Sequence, residues 1–161
     1  MRSEIFVEIN SIIIKGSDSY NGLIYSEDKG KTWSWSNVTS GVFHCLTVID
    51  NTVIAGSDND KGLLYSEDKG KTWKNSNITF GDFSCLTVID DTIIAGGYSN
   101  NGLLYSKDRG KTWSWSNITF GDFQCLTTIG NIVVATIYSI NSLYYSEDNG
   151  HNWSQSKITI V

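Results

Sequence analysis

Ser66-Glu67-Asp68-Lys69-Gly70-Lys71-Thr72-Trp73 reads as a tight polar turn closing on an aromatic residue. The same eight residues stand at Ser26-Glu27-Asp28-Lys29-Gly30-Lys31-Thr32-Trp33. A third copy runs Ser106-Lys107-Asp108-Arg109-Gly110-Lys111-Thr112-Trp113, and a fourth Ser146-Glu147-Asp148-Asn149-Gly150-His151-Asn152-Trp153. The spacing is 40 residues each time. The aspartate can accept hydrogen bonds from the N–H groups of its own turn. The glycine supplies a positive φ that a residue with a Cβ resists. The serine and threonine hydroxyls satisfy further turn groups, and the tryptophan brings a large ring to bury.

Working outward, the whole chain repeats with this period. Units 41–80 and 81–120 share 27 of 40 positions, and units 1–40, 41–80, 81–120 and 121–161 leave no linker or second domain to assign, so residues 1–161 read as one domain. Each unit carries four short strand signals, in the second unit Phe43–Ile49, Thr52–Ala55, Gly62–Ser66 and Lys71–Asn77. β-Branched and aromatic residues fill them and Asp, Asn, Gly and Ser punctuate them. No apolar stripe of helical period is present. Four strands per repeat of this length predict an all-β propeller of four-stranded antiparallel blades.

The motif resembles the Asp box, or BNR repeat, of sialidases, sortilin-type receptors and bacterial surface propellers. The resemblance implies that the turn lies at the propeller rim, away from any ligand face, and that the protein works outside the cell or at its surface. No secretory signal precedes the first strand, since Met1–Asn10 alternates apolar and polar residues with Glu4 and Glu8 among them. Sialidases also use three arginines, a Tyr/Glu pair and an acidic Asp, whereas this chain holds only Arg2 and Arg109. A sialidase-like or other glycoside hydrolase is therefore the lesser alternative; such enzymes place two carboxylates about 5 to 9 Å apart. The fourth box departs from the pattern at His151 and Asn152, which predicts the least well tied hairpin.

Composition agrees with a folded β protein and narrows the partners. Aromatic residues make up 12% and charged residues 18%, with a net charge of −5 and no basic stripe for nucleic acid. No apolar run is long enough for a membrane-spanning helix. No cofactor is implied and no metal site is expected: each Asp-Gly turn offers one or two carboxylates where calcium takes about six or more oxygens, and His44 and His151 fall at unrelated positions. Cys45, Cys85 and Cys125 share the position of Ile5, which predicts buried, unpaired thiols. Asn37, Asn77 and Asn117 head N-x-T sequons that read as one sequence copied.

Binding is expected on the loop face, where the connection between second and third strands varies most. Its candidates are Asp18 and Tyr20, Asp58 and Asp60, Tyr98 and Asn100, Tyr138 and Asn141. Side chains of these types stack on and hydrogen-bond sugars or protein surfaces; neutral drift of exposed loops produces the same variation. Trp35 and Trp115 recur in alternate units, replaced by Asn75 and Gln155 in the others. They suit either packing between blades or a sugar platform. Phe80, Phe83, Phe120 and Phe123 in the linking segments are expected to pack between blades. The reading is a non-catalytic module recognising glycans or surface proteins. Four blades could close as a monomer, or two chains could close an eight-bladed homodimer.

Overall fold

A computed structural model describes residues 5–58, 60–99, 101–138 and 142–157. Arg2, Glu4, Asn100 and Asn141, all drawn on above, lie outside the described residues. Among the described residues sixteen strands form four separate antiparallel sheets, each in simple sequence order. Blade 1 holds β1 (Ile5–Ile9), β2 (Ile12–Gly16), β3 (Leu23–Ser26) and β4 (Ser34–Trp35). Blade 2 holds β5 (Phe43–Ile49), β6 (Thr52–Ser57), β7 (Leu63–Ser66) and β8 (Lys74–Asn75). Blade 3 holds β9 (Asp82–Ile89), β10 (Thr92–Tyr98), β11 (Leu103–Ser106) and β12 (Ser114–Trp115). Blade 4 holds β13 (Phe123–Ile129), β14 (Ile132–Ile137), β15 (Leu143–Ser146) and β16 (Ser154–Gln155). No helix occurs among the described residues. The fourth strands are two residues long, shorter than the expected Lys71–Asn77, because the aspartate turn extends through residue 73.

Each turn is knotted around its carboxylate as its sequence implies. Asp68 Oδ1 accepts from the Ser66 hydroxyl and the Thr72 N–H, both at 2.8 Å, and Oδ2 accepts from the Thr72 hydroxyl at 2.6 Å. Ser66 Oγ in turn accepts from Gly70 N–H at 2.8 Å. Asp28 with Ser26, Gly30 and Thr32, and Asp108 with Ser106, Gly110 and Thr112, repeat the pattern. The fourth turn is tied as fully as the others, against expectation. The Asn152 amide replaces the threonine hydroxyl, donating to Asp148 Oδ2 at 2.7 Å while its N–H donates to Oδ1 at 2.8 Å. Asparagine offers a donor at nearly the same reach, so the substitution is isofunctional here.

These bonds make the turns acid-sensitive. Burial raises the Asp68 and Asp108 carboxyls, but the hydroxyl and N–H donors of Thr72 and Thr112 outweigh it and leave both below the ordinary value. A carboxyl depressed in the folded state stabilises the fold above its unfolded pKa, and that contribution disappears as pH falls through the folded value. The melting temperature is therefore expected to hold from pH 7 to about pH 4.5 and to fall below about pH 4. Circular dichroism melts across that range test this, and Asp68→Asn is expected to flatten the acid limb while lowering stability at pH 7.

The core is divided among blade junctions. Ile9, Ile14 and Leu23 of blade 1 meet Phe43, Val53, Ala55, Leu64 and Trp73 of blade 2. The same positions recur at the next junction, where Cys45, Ile49, Ile54, Leu63 and Ile78 meet Phe83, Ile93, Ala95, Leu104 and Trp113. A third core joins blades 3 and 4 and includes Cys85, Ile94, Leu103, Phe123 and Trp153. Each blade thus has a forward face and a backward face. Close approach of the second strands to the next blade requires glycine: a Cβ at Gly56 or Gly96 would lie 2.9 or 3.0 Å from the Cβ of Phe83 or Phe123. Inner strands β1, β5, β9 and β13 pack in that order. Among the described residues no buried core joins blade 4 back to blade 1.

A side-chain clasp supplements each core. Asn77 Nδ2 donates to the Trp113 carbonyl at 3.0 Å, and the Trp113 N–H donates to Asn77 Oδ1 at 2.8 Å. Asn37 holds Trp73, and Asn117 holds Trp153, in the same way. The sequon asparagines are thus structural fasteners between blades, which sequence reading missed. Their in-phase recurrence was the available signal.

The position of each junction corrects several expectations. Trp73, Trp113 and Trp153 are buried, and each ring N–H donates to the glycine carbonyl of its own turn. Trp33, with no blade before it, is 38% exposed. Cys45 and Cys85 are buried free thiols, whereas Cys125 is free and exposed, because among the described residues no blade covers the forward face of blade 4. Burial pushes the Cys45 thiol well up and Cys85 up to about 12, so both stay protonated. Phe83 and Phe123 pack between blades, but Phe80 and Phe120 stand out into solvent.

Candidate functional site

The loops between second and third strands gather the predicted binding residues at one end of the blades. Tyr20 and Tyr138 are exposed there, while Tyr98 is half-buried in β10, opposite Asp82 of β9. Asp18 accepts from Ser19 Oγ at 2.8 Å, a local bond within the loop. The Asp60 N–H donates to the Asp58 carbonyl at 2.7 Å.

Trp35 and Trp115 lie in the outer strands at this same end. They are 57% and 53% exposed, so the packing role between blades is excluded. Blade 3 has neighbours on both sides, so Trp115 owes its exposure to its outer-strand position and not to a missing blade. Its ring N–H donates to the Asn101 carbonyl at 3.3 Å. Trp35 borders a cavity of about 130 Å³ that also touches Lys15, Ser17 and Asn21. Asn21 and Asn101 are equivalent positions, so blades 1 and 3 each present a flat ring beside an asparagine. In blade 4 Gln155 takes the tryptophan's place and its amide donates to Ser142 Oγ at 3.2 Å.

A second cluster lies between blades 2 and 3 at this end. One nitrogen of His44 and one carboxylate oxygen each of Asp58 and Asp82 lie within 4.8 Å of one another, with His44 Nε2 3.6 Å from Asp58 Oδ2. His44 reaches it because the β5–β6 register shifts between Phe43 and Cys45, a bulge that re-aims the residue between them. Strand alternation could not reveal this, and sequence reading foresaw no metal site. The donor set, one imidazole and two carboxylates, is of a kind that holds zinc. The His44 ring also faces Asp58 without an ion between them, and neither blade 1–2 nor blade 3–4 has a histidine to match it.

Two wider clefts open at the opposite end, among the aspartate turns. One of about 300 Å³ is bounded by Asp50, Asp91, Lys107 and Arg109, and there Arg109 pairs with Asp50 at 2.9 Å. The other, of about 490 Å³, is bounded by Lys107, Glu147, Asn149 and His151. Both are shallow seams of mixed charge between blades.

The fold and the turns define the class: a β-propeller built from blades closed by aspartate turns. The turns are BNR/Asp-box repeats, and the model of that repeat matches residues 104–114 and 144–155. A search of curated proteins found no match. Among solved structures, an ancestral GH74 enzyme superposes with a TM-score of 0.75 at 16% identity, over 94% of this chain and 23% of that one. YCF48 from Cyanidioschyzon merolae superposes with a TM-score of 0.67 at 10% identity, over 97% of this chain and 56% of that one. The computationally designed Ika4 protein gives 0.68 at 10% identity, over 84% and 86%. The chain therefore spans about a quarter of the GH74 enzyme and about half of YCF48. At these identities the likeness is one of fold.

Proposed function

We propose that the chain is a non-catalytic binding propeller that takes carbohydrate against the tryptophan–asparagine pairs of blades 1 and 3. The observation that carries this reading is the exposure of Trp35 and Trp115 at one position of alternate blades, each beside an asparagine. A sugar presents an apolar ring face and a rim of hydroxyls, which a flat indole and a neighbouring amide complement. Two equivalent sites on a rigid scaffold favour multivalent recognition of repeating glycans. A glycan array is expected to show binding. Trp115→Ala should weaken it about ten-fold, and the double variant with Trp35→Ala should abolish it. Silence of the array toward every glycan refutes the reading, and binding to a glycoprotein that survives removal of its sugars reassigns the ligand to protein.

The hydrolase alternative rests on Asp58 and Asp82, whose nearest carboxylate oxygens lie within 4.8 Å, just short of the spacing of about 5 to 9 Å such enzymes use. Turnover of a glycoside panel that is lost in Asp58→Asn or Asp82→Asn would establish it.

A further inference from the structure

Each of the three junctions joins the forward face of one blade to the backward face of the next, and among the described residues nothing covers the outward face of either end blade. On blade 4 the open face carries Cys125, Ile129, Val134 and Leu143, the counterparts of Cys85, Ile89, Ile94 and Leu103, which are all buried at the junction before it. Ile129 is 66% exposed. On blade 1 the open face carries Ile13, Ile24 and Trp33, the counterparts of the buried Val53, Leu64 and Trp73. Phe6 joins them, its ring 6.2 Å from that of Trp33. The two faces are therefore the two halves of the interface already built three times within the chain.

We propose that a second copy of this chain covers both faces, the forward face of blade 4 in each copy docking on the backward face of blade 1 in the other, so that two chains close an eight-bladed ring. Among the described residues no core closes one chain on itself, and eight blades fall in the usual range of about four to eight.

Departures from the repeat at the two ends match one another. The second-strand glycine of blades 1 to 3 (Gly16, Gly56, Gly96), which faces a phenylalanine, is Thr136 in blade 4. The phenylalanine position of blade 1 is Ser3, which lies outside the described residues and enters by sequence alone. At these two repeat positions a larger residue at one end of the chain is therefore matched by a smaller one at the other. Charge follows the same logic. Glu27 pairs with Lys71 across the first junction at 2.5 Å, and Glu67 with Lys111 across the second at 2.7 Å. The third junction has Lys107 and His151 at these positions, but the closing junction restores the pair as Glu147 and Lys31.

Two substitutions weaken the closing junction. Lys157 stands where Asn37, Asn77 and Asn117 form their clasps, and can donate to the Trp33 carbonyl but cannot accept from its N–H. Lys15 replaces the buried Ala55, and its ammonium lies 5.4 Å from the centre of the Phe6 ring. A long lysine stem can lie along the interface with its head in water. The ring therefore dissociates more readily than blades within a chain separate.

Light scattering on the purified chain is expected to give twice 17.9 kDa at micromolar concentrations and above. Ile129→Asp should give the single-chain mass with an unchanged circular dichroism spectrum. Glu147→Lys should weaken dimerisation about five-fold, Lys31→Glu in the same chain should recover it, and Lys157→Asn should tighten it about ten-fold. A single-chain mass at every concentration, a polymer that grows with concentration, or a dimer indifferent to Ile129→Asp would each overturn the proposal.

Discussion

Asn77→Ala is expected to lower the unfolding free energy by about 2–4 kcal/mol, although the residue lies in a surface turn and carries no charge. Its amide bridges both backbone groups of Trp113, so truncation strands a donor and an acceptor at the seam between blades 2 and 3. Stranded buried polar groups lose their full solvation, which is why the cost exceeds that of an ordinary hydrogen bond. For a chain of this size the melting temperature should drop by about 5–12 °C. Asn77→Asp should not rescue it, since a carboxylate would set an oxygen against the Trp113 carbonyl. Asn75→Ala, two residues away on the exposed face of β8, is the control and should change stability by less than about 0.5 kcal/mol. Urea unfolding of the three variants separates these outcomes. An Asn77→Ala midpoint equal to that of Asn75→Ala would show that the clasp contributes nothing.

Phe83→Ala is expected to cost about 3–5 kcal/mol. The ring is fully buried at the blade 2–3 junction, against Cys45 and the backbone of Gly56. Inner strands held this closely cannot collapse into the space left behind, so the cavity persists and its lining loses contacts. Phe120→Ala deletes an identical side chain in the linking segment that opens Phe120-Gly121-Asp122-Phe123, and should change stability by no more than about 0.5 kcal/mol because that ring is 74% exposed. Equal effects for the two phenylalanines would mean that the inner strands do not pack as described.

The contrast between these phenylalanines shows where sequence reading stops. Phe80-Gly81-Asp82-Phe83 offers two aromatic rings with no difference in type, and only the register of β9 on β10 buries one of them. Legible features were local and periodic: the aspartate turn, the strand order within a blade, and the positions whose apolar character recurs every 40 residues. Trp35 and Trp115 were legible as an anomaly, but their role depended on exposure. His44 was discounted because it and His151 fall at unrelated repeat positions, a comparison blind to the extra residue that re-aims it within its own strand. Cys125 and Trp33 were misplaced because a repeat predicts an average environment, and the end blades do not have it.

The clasp also bears on how such a chain can change its length. The clasps and the cores between blades join one fixed position of a unit to another fixed position of the next, as Asn37 to Trp73 and Asn77 to Trp113. Unequal exchange between the nearly identical stretches 41–80 and 81–120 would delete or duplicate whole units, and Asn37 would then meet Trp113 with the same geometry it now offers Trp73. Each crossover product inherits intact seams. Copy number is thus the property of this molecule most open to inheritance in whole steps, and the ends of the array are where selection must act to fix it.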